Sequence, residues 1–257
     1  MSSASDSLAV GSTPNGWLQR WRRHFYMPLA LTGVCIALYI WIDGMQLDSI
    51  ERRSLNAAVI GHLLSQQIAI TVVSAILVVA IAVPLGILLT RPYARRLTTP
   101  IISVVNIGQA VPSIGVLVLI AIFYGLGFWP AVAAFVLYSI LPVLRNTMVG
   151  LEQIDPAYVE AGRGMGLSSA SVLLRVELPL AIPVMLAGIR TALVILVGTA
   201  TLATFVGAGG LGQLIVTGNN LGRTSILVTG STLSAVLALS VDWLAGIAEE
   251  LLRPKGL

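Results

Sequence analysis

From residue 63 to residue 89 the sequence carries no charged side chain, and comparable apolar runs recur at about 25–42, 100–124, 128–149, 180–205 and 226–247. An α-helix rises ~1.5 Å per residue, so each run is long enough to cross roughly 30 Å of hydrocarbon. In lipid no water is present to satisfy backbone amides and carbonyls, so a spanning segment is either a helix or part of a closed barrel. A barrel requires repeated segments of about ten alternating residues, and that pattern is absent. The expected fold is therefore all-α and polytopic, with about six transmembrane helices. Composition agrees: 10% of residues are charged and 56% hydrophobic, with mean hydropathy +0.92. Soluble domains carry about 25% charged residues, and so apolar a chain could not cover a soluble surface.

The net charge of +4 and pI near 9.6 do not mark a nucleic-acid binder, because the basic residues sit at the ends of apolar runs rather than on one face. With the N-terminus in the cytoplasm, inside segments hold Arg20, Arg22, Arg23, Arg91, Arg95, Arg96, Arg145, Arg163, Arg175, Arg253 and Lys255. Outside segments hold only Arg52, Arg53 and Arg223. By the positive-inside rule both termini are expected in the cytoplasm, in a multi-pass protein of the cytoplasmic (inner) membrane. Residues 1–24 read as a cytoplasmic, largely disordered tail, 25–59 as a first span and outer loop, and 249–257 as a cytoplasmic C-terminal tail. No small-x-small cleavage site follows the first apolar run, so it reads as a retained span rather than a signal peptide.

Several chemistries are excluded by residue inventory. Cys35 is the only cysteine, which rules out an intrachain disulfide, and His24 and His62 lack partners at ligand spacing, so no metal is expected. The run Gly207-Ala208-Gly209-Gly210-Leu211-Gly212 matches G-x-G-x-x-G. It follows a long apolar helix rather than a short strand, and no Asp or Glu lies between Glu177 and Asp242, so a dinucleotide reading fails. A glycine-rich bend that lets segments approach closely is the better reading. Lys255 is the only lysine, so there is no G-x-x-x-x-G-K-[ST] phosphate loop and this chain is not expected to hydrolyse ATP or to be an enzyme. No cofactor is expected.

A few polar side chains lie within the runs. Asn106, Gln109 and Ser113, spaced three and four apart, are expected on one face of the third span, either as interhelical hydrogen-bonding groups or as a pore lining. Thr199, Thr201 and Thr204 carry weaker information of the same kind. Arg190 either snorkels toward the cytoplasm or acts inside the bundle, and Asp242 reads as interfacial. Asn106, Gln109, Ser113, Arg190 and Thr201 are the candidate translocation path.

One segment breaks the apolar pattern: EAGRGMGLSSASVLLRVELP, residues 160–179. Asp155-Pro156 just before it is a helix start, with an N-cap carboxylate and proline at the first helical position. The helix that follows, about Pro156 to Arg163, is expected to end at Gly162, Gly164 and Gly166 in a tight reversal. Ser168 or Ser169 then caps a second short helix with an apolar stripe of Val172, Leu173 and Val176, and Pro179 redirects the chain into the fifth span. A helix, a glycine turn and a helix at the cytoplasmic surface form a docking protrusion.

These residues resemble the EAA motif of ABC importer permeases, E-A-A-x3-G-x9-I-x-L-P. Glu160-Ala161-Gly162, then Gly166, then Val176-Glu177-Leu178-Pro179 keep its spacing throughout. Gly162 replaces the second alanine and Val176 the isoleucine. Residues from about Ile60 to Gly246, including LYSILPVLRNTMVGLEQIDPAYVEAGRGMG and GTATLATFVGAGGLGQLI, are similar to permeases for osmoprotectants such as glycine betaine, carnitine and choline, with the transmembrane domain expected at 60–248. The resemblance implies a type I ABC importer transmembrane domain whose coupling helix lies in segment 155–179. It implies partners: a second permease subunit (a copy or a paralogue), two cytoplasmic ABC ATPase subunits and an extracytoplasmic solute-binding protein. It places Tyr158, Glu160, Ala161, Gly162, Arg163 and Gly166 at the ATPase contact. The alternative solute is another small molecule, such as an amino acid or a sulfonate. A secondary carrier is disfavoured by the scarcity of intramembrane acids, and a channel by the elaborate protrusion.

Overall fold

The computed structural model describes residues 16–252, with side chains from residue 25 onward. Of the tails expected at 1–24 and 249–257, residues 1–15 and 253–257, with Arg253 and Lys255, lie outside the described residues, as do the side chains of Arg20, Arg22, Arg23 and His24. Eleven α-helices follow one another in the described residues. They are α1 (Gly16–Asp43), α2 (Ser49–Ser54), α3 (Ala57–Leu89), α4 (Arg95–Ala110), α5 (Ser113–Tyr124), α6 (Phe128–Glu152), α7 (Pro156–Gly164), α8 (Ser169–Val172), α9 (Leu178–Ala200), α10 (Gly212–Asn220) and α11 (Thr224–Leu252). A π-helical stretch (Leu173–Glu177) joins α8 to α9, and a 3-10 stretch (Thr201–Val206) extends α9. Helix α1 begins at Gly16, inside the segment expected as a tail.

Five helical segments are long and apolar enough to cross a membrane: Phe25–Asp43, Ala57–Leu89, Phe128–Glu152, Ser169–Val206 and Thr224–Leu252. The sixth expected span is different. Helices α4 and α5 meet at a 99° bend, so the run at 100–124 is a broken pair rather than one continuous helix. Val111 (φ −76°, ψ 136°) and Pro112 (φ −53°, ψ 133°) are both extended. Proline has no amide to continue the ladder and disfavours the helical region in the residue before it.

Helix α6 is the hub, packed against α3, α4, α5 and α9. Its two buried faces feed two apolar clusters, one around Phe135, Ala131 and Ala134 and one around Val136, Val143 and Leu144. Small residues set how close the helices come. A Cβ on Gly188 of α9 would fall 2.5 Å from the Asn146 Cβ and 2.8 Å from the Pro142 carbonyl oxygen of α6. Lipid offers no hydrophobic drive between helices, so such close van der Waals approach is what holds a membrane bundle together. Helix α1 lies at the periphery against α11.

The expected redirection of the chain at Pro179 does not occur. The helix runs on from Ser169 through the π-helical stretch into α9 without turning away. A proline ring in a regular helix clashes with the carbonyl four residues back, here that of Arg175. The wider π turn directly before Pro179 is where the backbone yields instead.

Candidate coupling segment and translocation path

At one end of the bundle the chain leaves α6 and forms α7. The Asp155 side chain accepts a hydrogen bond from the Ala157 amide (2.9 Å), and Pro156 occupies the first helical position, where no amide is needed. The helix closes with two bonds: the Gly166 amide donates to the Arg163 carbonyl (2.9 Å) and the Leu167 amide to the Gly162 carbonyl (3.2 Å). That pair is a Schellman terminus, and it needs a left-handed residue at Gly166, whose φ is +82°. Gly162 faces inward. A Cβ there would sit 3.4 Å from Val172 Cγ2 and 3.7 Å from Val176 Cγ2, ordinary contact distances, so the second alanine of the motif would fit. Ser168 caps α8 by accepting from the Ser171 amide (3.3 Å).

Gly162 is thus the buried member of the coupling set, and Tyr158, Glu160, Ala161, Arg163 and Gly166 are exposed. Tyr158 is 56% exposed and Met165 74%, so an aromatic ring and a thioether stand on the outer surface of the protrusion. Glu160 makes no ion pair or hydrogen bond among the described residues. Its carboxylate is not occupied by neighbouring backbone amides.

The segment is fastened to the bundle by a contact that sequence reasoning missed. Arg91, just past α3, donates through both terminal nitrogens to the Glu177 carboxylate, one bond at 3.3 Å. Glu177 is buried, and it lies in the π-helical stretch beneath α7. The only signal in the sequence was a charge on each side of the same predicted surface, 86 positions apart.

The candidate path residues do not form one group. Asn106 and Gln109 lie on α4, whereas Ser113 opens α5 beyond the 99° bend, so the expected common face is broken. Gln109 Nε2 donates to the Tyr138 carbonyl of α6 (2.8 Å). Asn106 Oδ1 accepts from Arg145 Nη2 of α6 (2.8 Å). Arg190 of α9 is paired with α11: Nε and Nη2 donate to the two Asp242 oxygens (2.6 and 2.8 Å), and Nη1 lies 3.6 Å from Glu249. Asp242 is thereby an interhelical partner rather than a lone interfacial acid. Thr201 Oγ1 donates back to the Gly198 carbonyl of its own helix (2.7 Å).

At the opposite end from α7, the glycine run packs against two adjacent glutamines of α3. The Gly210 amide donates to Gln66 Oε1 and the Leu211 amide to Gln67 Oε1, both at 3.1 Å. Gln67, fully buried, also donates to the Val197 carbonyl (3.0 Å), so one side chain staples α3, α9 and the turn. A Cβ on Gly209, where φ is +82°, would fall 2.0 Å from Gln66 Oε1. The run thus serves close backbone approach. Beside it, Glu51 of α2 accepts from the Ser225 hydroxyl of α11 and from the Asp48 amide, while Asp48 pairs with Arg223. The Ser225 and Asp48 donors hold the Glu51 carboxyl below the usual carboxylate range. Among the described residues no cluster of His, Cys, Asp or Glu could hold a metal ion.

Known proteins are similar to this chain in sequence and in fold. Residues 82–254 match the family described as binding-protein-dependent transport system inner membrane component. The chain is 41% identical over 192 residues to the choline transport system permease protein OpuBB of Bacillus subtilis, covering 75% of this chain and 88% of that one. It is 41% identical to the carnitine transport permease protein OpuCB of Listeria monocytogenes, covering 75% and 87%. It is 36% identical over 216 residues to the osmoprotectant import permease protein OsmW of Salmonella typhimurium, covering 82% and 100%. Among solved structures, the MetNI methionine ABC transporter in an inward-facing conformation superposes with a TM-score of 0.69 at 24% identity, covering 76% of this chain and 96% of that chain. An amino acid ABC transporter superposes at 0.65 and 18% identity, covering 80% and 100%. The fold is that of a type I ABC importer transmembrane domain, and the chain belongs to the binding-protein-dependent transport system inner membrane component family.

Proposed function

We propose that this chain is the membrane-spanning subunit of an ATP-driven importer that moves an osmoprotectant of the glycine betaine, choline or carnitine type into the cytoplasm. The observation that carries the solute class is the match, over 87–88% of their lengths, to permeases named for choline and carnitine. The geometry supports the division of labour. An exposed short helix, rigidly ended at Gly166 and clamped to α3 through Arg91–Glu177, displays Tyr158, Glu160, Ala161 and Arg163 for a separate ATPase subunit. A second permease subunit and an extracytoplasmic binding protein complete the assembly. Both termini and α7 face the cytoplasm, in keeping with the arginine distribution.

ATP-driven closure of the ATPases moves the docked α7 helices, and the bundle switches from outward-open to inward-open. Such a switch needs contacts that differ between the two states, since a ligand shifts an equilibrium only by its differential affinity. The test is uptake of radiolabelled glycine betaine, choline, carnitine and an amino acid by a transport-deficient host carrying the whole system. Uptake of the amino acid alone would overturn the solute class.

A further inference from the structure

Arg145 is a charge without a counter-charge inside the bundle. Arg145 lies on α6 and Arg190 on α9, while Arg175 lies in the π-helical stretch that leads into α9. Arg190 has Asp242 and Glu249 around it. Arg145 has no acidic partner among the described residues and donates only to the neutral Asn106 oxygen. It lies on an exposed position seven residues before the last residue of α6, Glu152, or about 10 Å from that end. A cation that close to a helix end either snorkels to the headgroup region or faces a water-filled cavity or an anion, and the bond to Asn106 holds this one against α4 instead.

The α4–α5 break independently marks this side as one covered by another protein surface or by a polar cavity. Val111 and Pro112 are extended and exposed. Non-helical backbone at membrane depth is tolerated only where protein covers it or where it lines a polar cavity. Gln109, one turn before the break, is bonded to Tyr138 of α6, on the same helix as Arg145. Asn106, Gln109 and Arg145 therefore form one polar seam between α4 and α6, beside the break.

We infer that Arg145 is a specificity-determining residue of the path, where the carboxylate of a zwitterionic solute is held transiently by the guanidinium. This rests on the proposed osmoprotectant function and narrows it to carboxylate-bearing solutes such as glycine betaine and carnitine, with choline, which has no carboxylate, disfavoured. The guanidinium fork matches a carboxylate with two parallel donors, and Asn106 holds it while leaving the other nitrogens free. Asn106 carries no charge to compete with the solute.

The test uses the complete importer in cells, with Arg145→Gln and Arg145→Lys, and measures glycine betaine, carnitine and choline uptake alongside membrane level and ATPase retention. In Arg145→Gln the ratio of glycine betaine or carnitine uptake to choline uptake falls about tenfold, the loss of one charge-assisted carboxylate contact. Arg145→Lys, which keeps the charge but not the fork, lowers it about threefold. If the glutamine variant does not reach the membrane, the lysine variant decides. An unchanged ratio overturns the inference, whether total uptake is normal or reduced, and so does equal loss of all three solutes at normal membrane level and ATPase retention. Loss of copurifying anionic lipid with an unchanged ratio overturns it in favour of a lipid phosphate. A wild-type system that imports choline alone overturns it while leaving the osmoprotectant function standing, whereas one that imports none of the three removes both.

Discussion

Arg91 and Glu177 join the end of α3 to the π-helical stretch beneath α7 through a two-pronged ion pair. Glu177 is buried, and the Arg91 Nε has no partner of its own, so the pair has little to fall back on if one side is lost. Removing one partner leaves a partly buried charge uncompensated, at about 1–3 kcal/mol. Arg91→Ala and Glu177→Ala should each lower the thermal unfolding midpoint of the purified subunit. They should also reduce substrate-stimulated ATP hydrolysis of the assembled system, because α7 loses its anchor to α3. In a double-mutant cycle the two changes should be clearly non-additive. Additive effects would mean that the pair is incidental.

The two glycines at the end of α7 should respond oppositely to substitution. Gly166 has φ +82° with open space around it, so a side chain meets no neighbour but is strained by backbone conformation alone. Gly166→Leu should cost about 1 kcal/mol or more and loosen the Schellman terminus. Gly162 sits within a helix with room for a methyl group. Gly162→Ala should be neutral or stabilising by up to about 1 kcal/mol, from helix propensity. Thermal unfolding of both variants, with uptake measured in parallel, checks the contrast. Equal destabilisation would refute this account of the turn.

Glu160 provides a cleaner probe of docking, since its side chain makes no hydrogen bond or ion pair among the described residues. Glu160→Ala should leave membrane level and unfolding midpoint unchanged. It should lower ATPase copurification, or uptake at equal copurification, by roughly tenfold, the usual worth of a charge-assisted hydrogen bond at an interface. Normal uptake with normal ATPase retention would make α7 a mere connector.

The spans were legible because lipid imposes one solution on any long apolar run. Helix α7 was legible because Asp155, Pro156 and Gly166 each act locally. The break at Pro112 was not. Val83-Pro84 is the same dipeptide inside α3, which runs on unbroken. The difference is tertiary: Pro84 is itself exposed, but Ala82 and Gly86 beside it are buried in the bundle, whereas Ala110, Val111, Pro112 and Ile114 are all exposed. Propensity alone could not separate the two sites. Pairings such as Arg190 with Asp242, 52 positions apart, were equally out of reach, because periodicity identifies a face but not the residue opposite it.

The outer cluster offers a test by pH. The Ser225 hydroxyl, the Asp48 amide and, more weakly, Arg223 favour ionised Glu51, so its pKa is lower folded than unfolded. A lowered carboxyl contributes stability that is fully present above the unfolded value of about 4.3 and disappears as pH falls through the lower, folded value. Glu51→Gln keeps one acceptor for Ser225 but no longer offers a second oxygen to the Asp48 amide, and it has no charge to lose. The unfolding midpoint of wild type should therefore exceed that of Glu51→Gln at pH 6 to 7. The gap should narrow as pH falls below about 4.3 and be gone below the lower, folded value, where Glu51 binds a proton in both states. The measurement is a series of thermal melts of the two proteins in the same detergent from neutral pH downward. A gap that stays constant over that range would show that Glu51 contributes by packing and not by its charge.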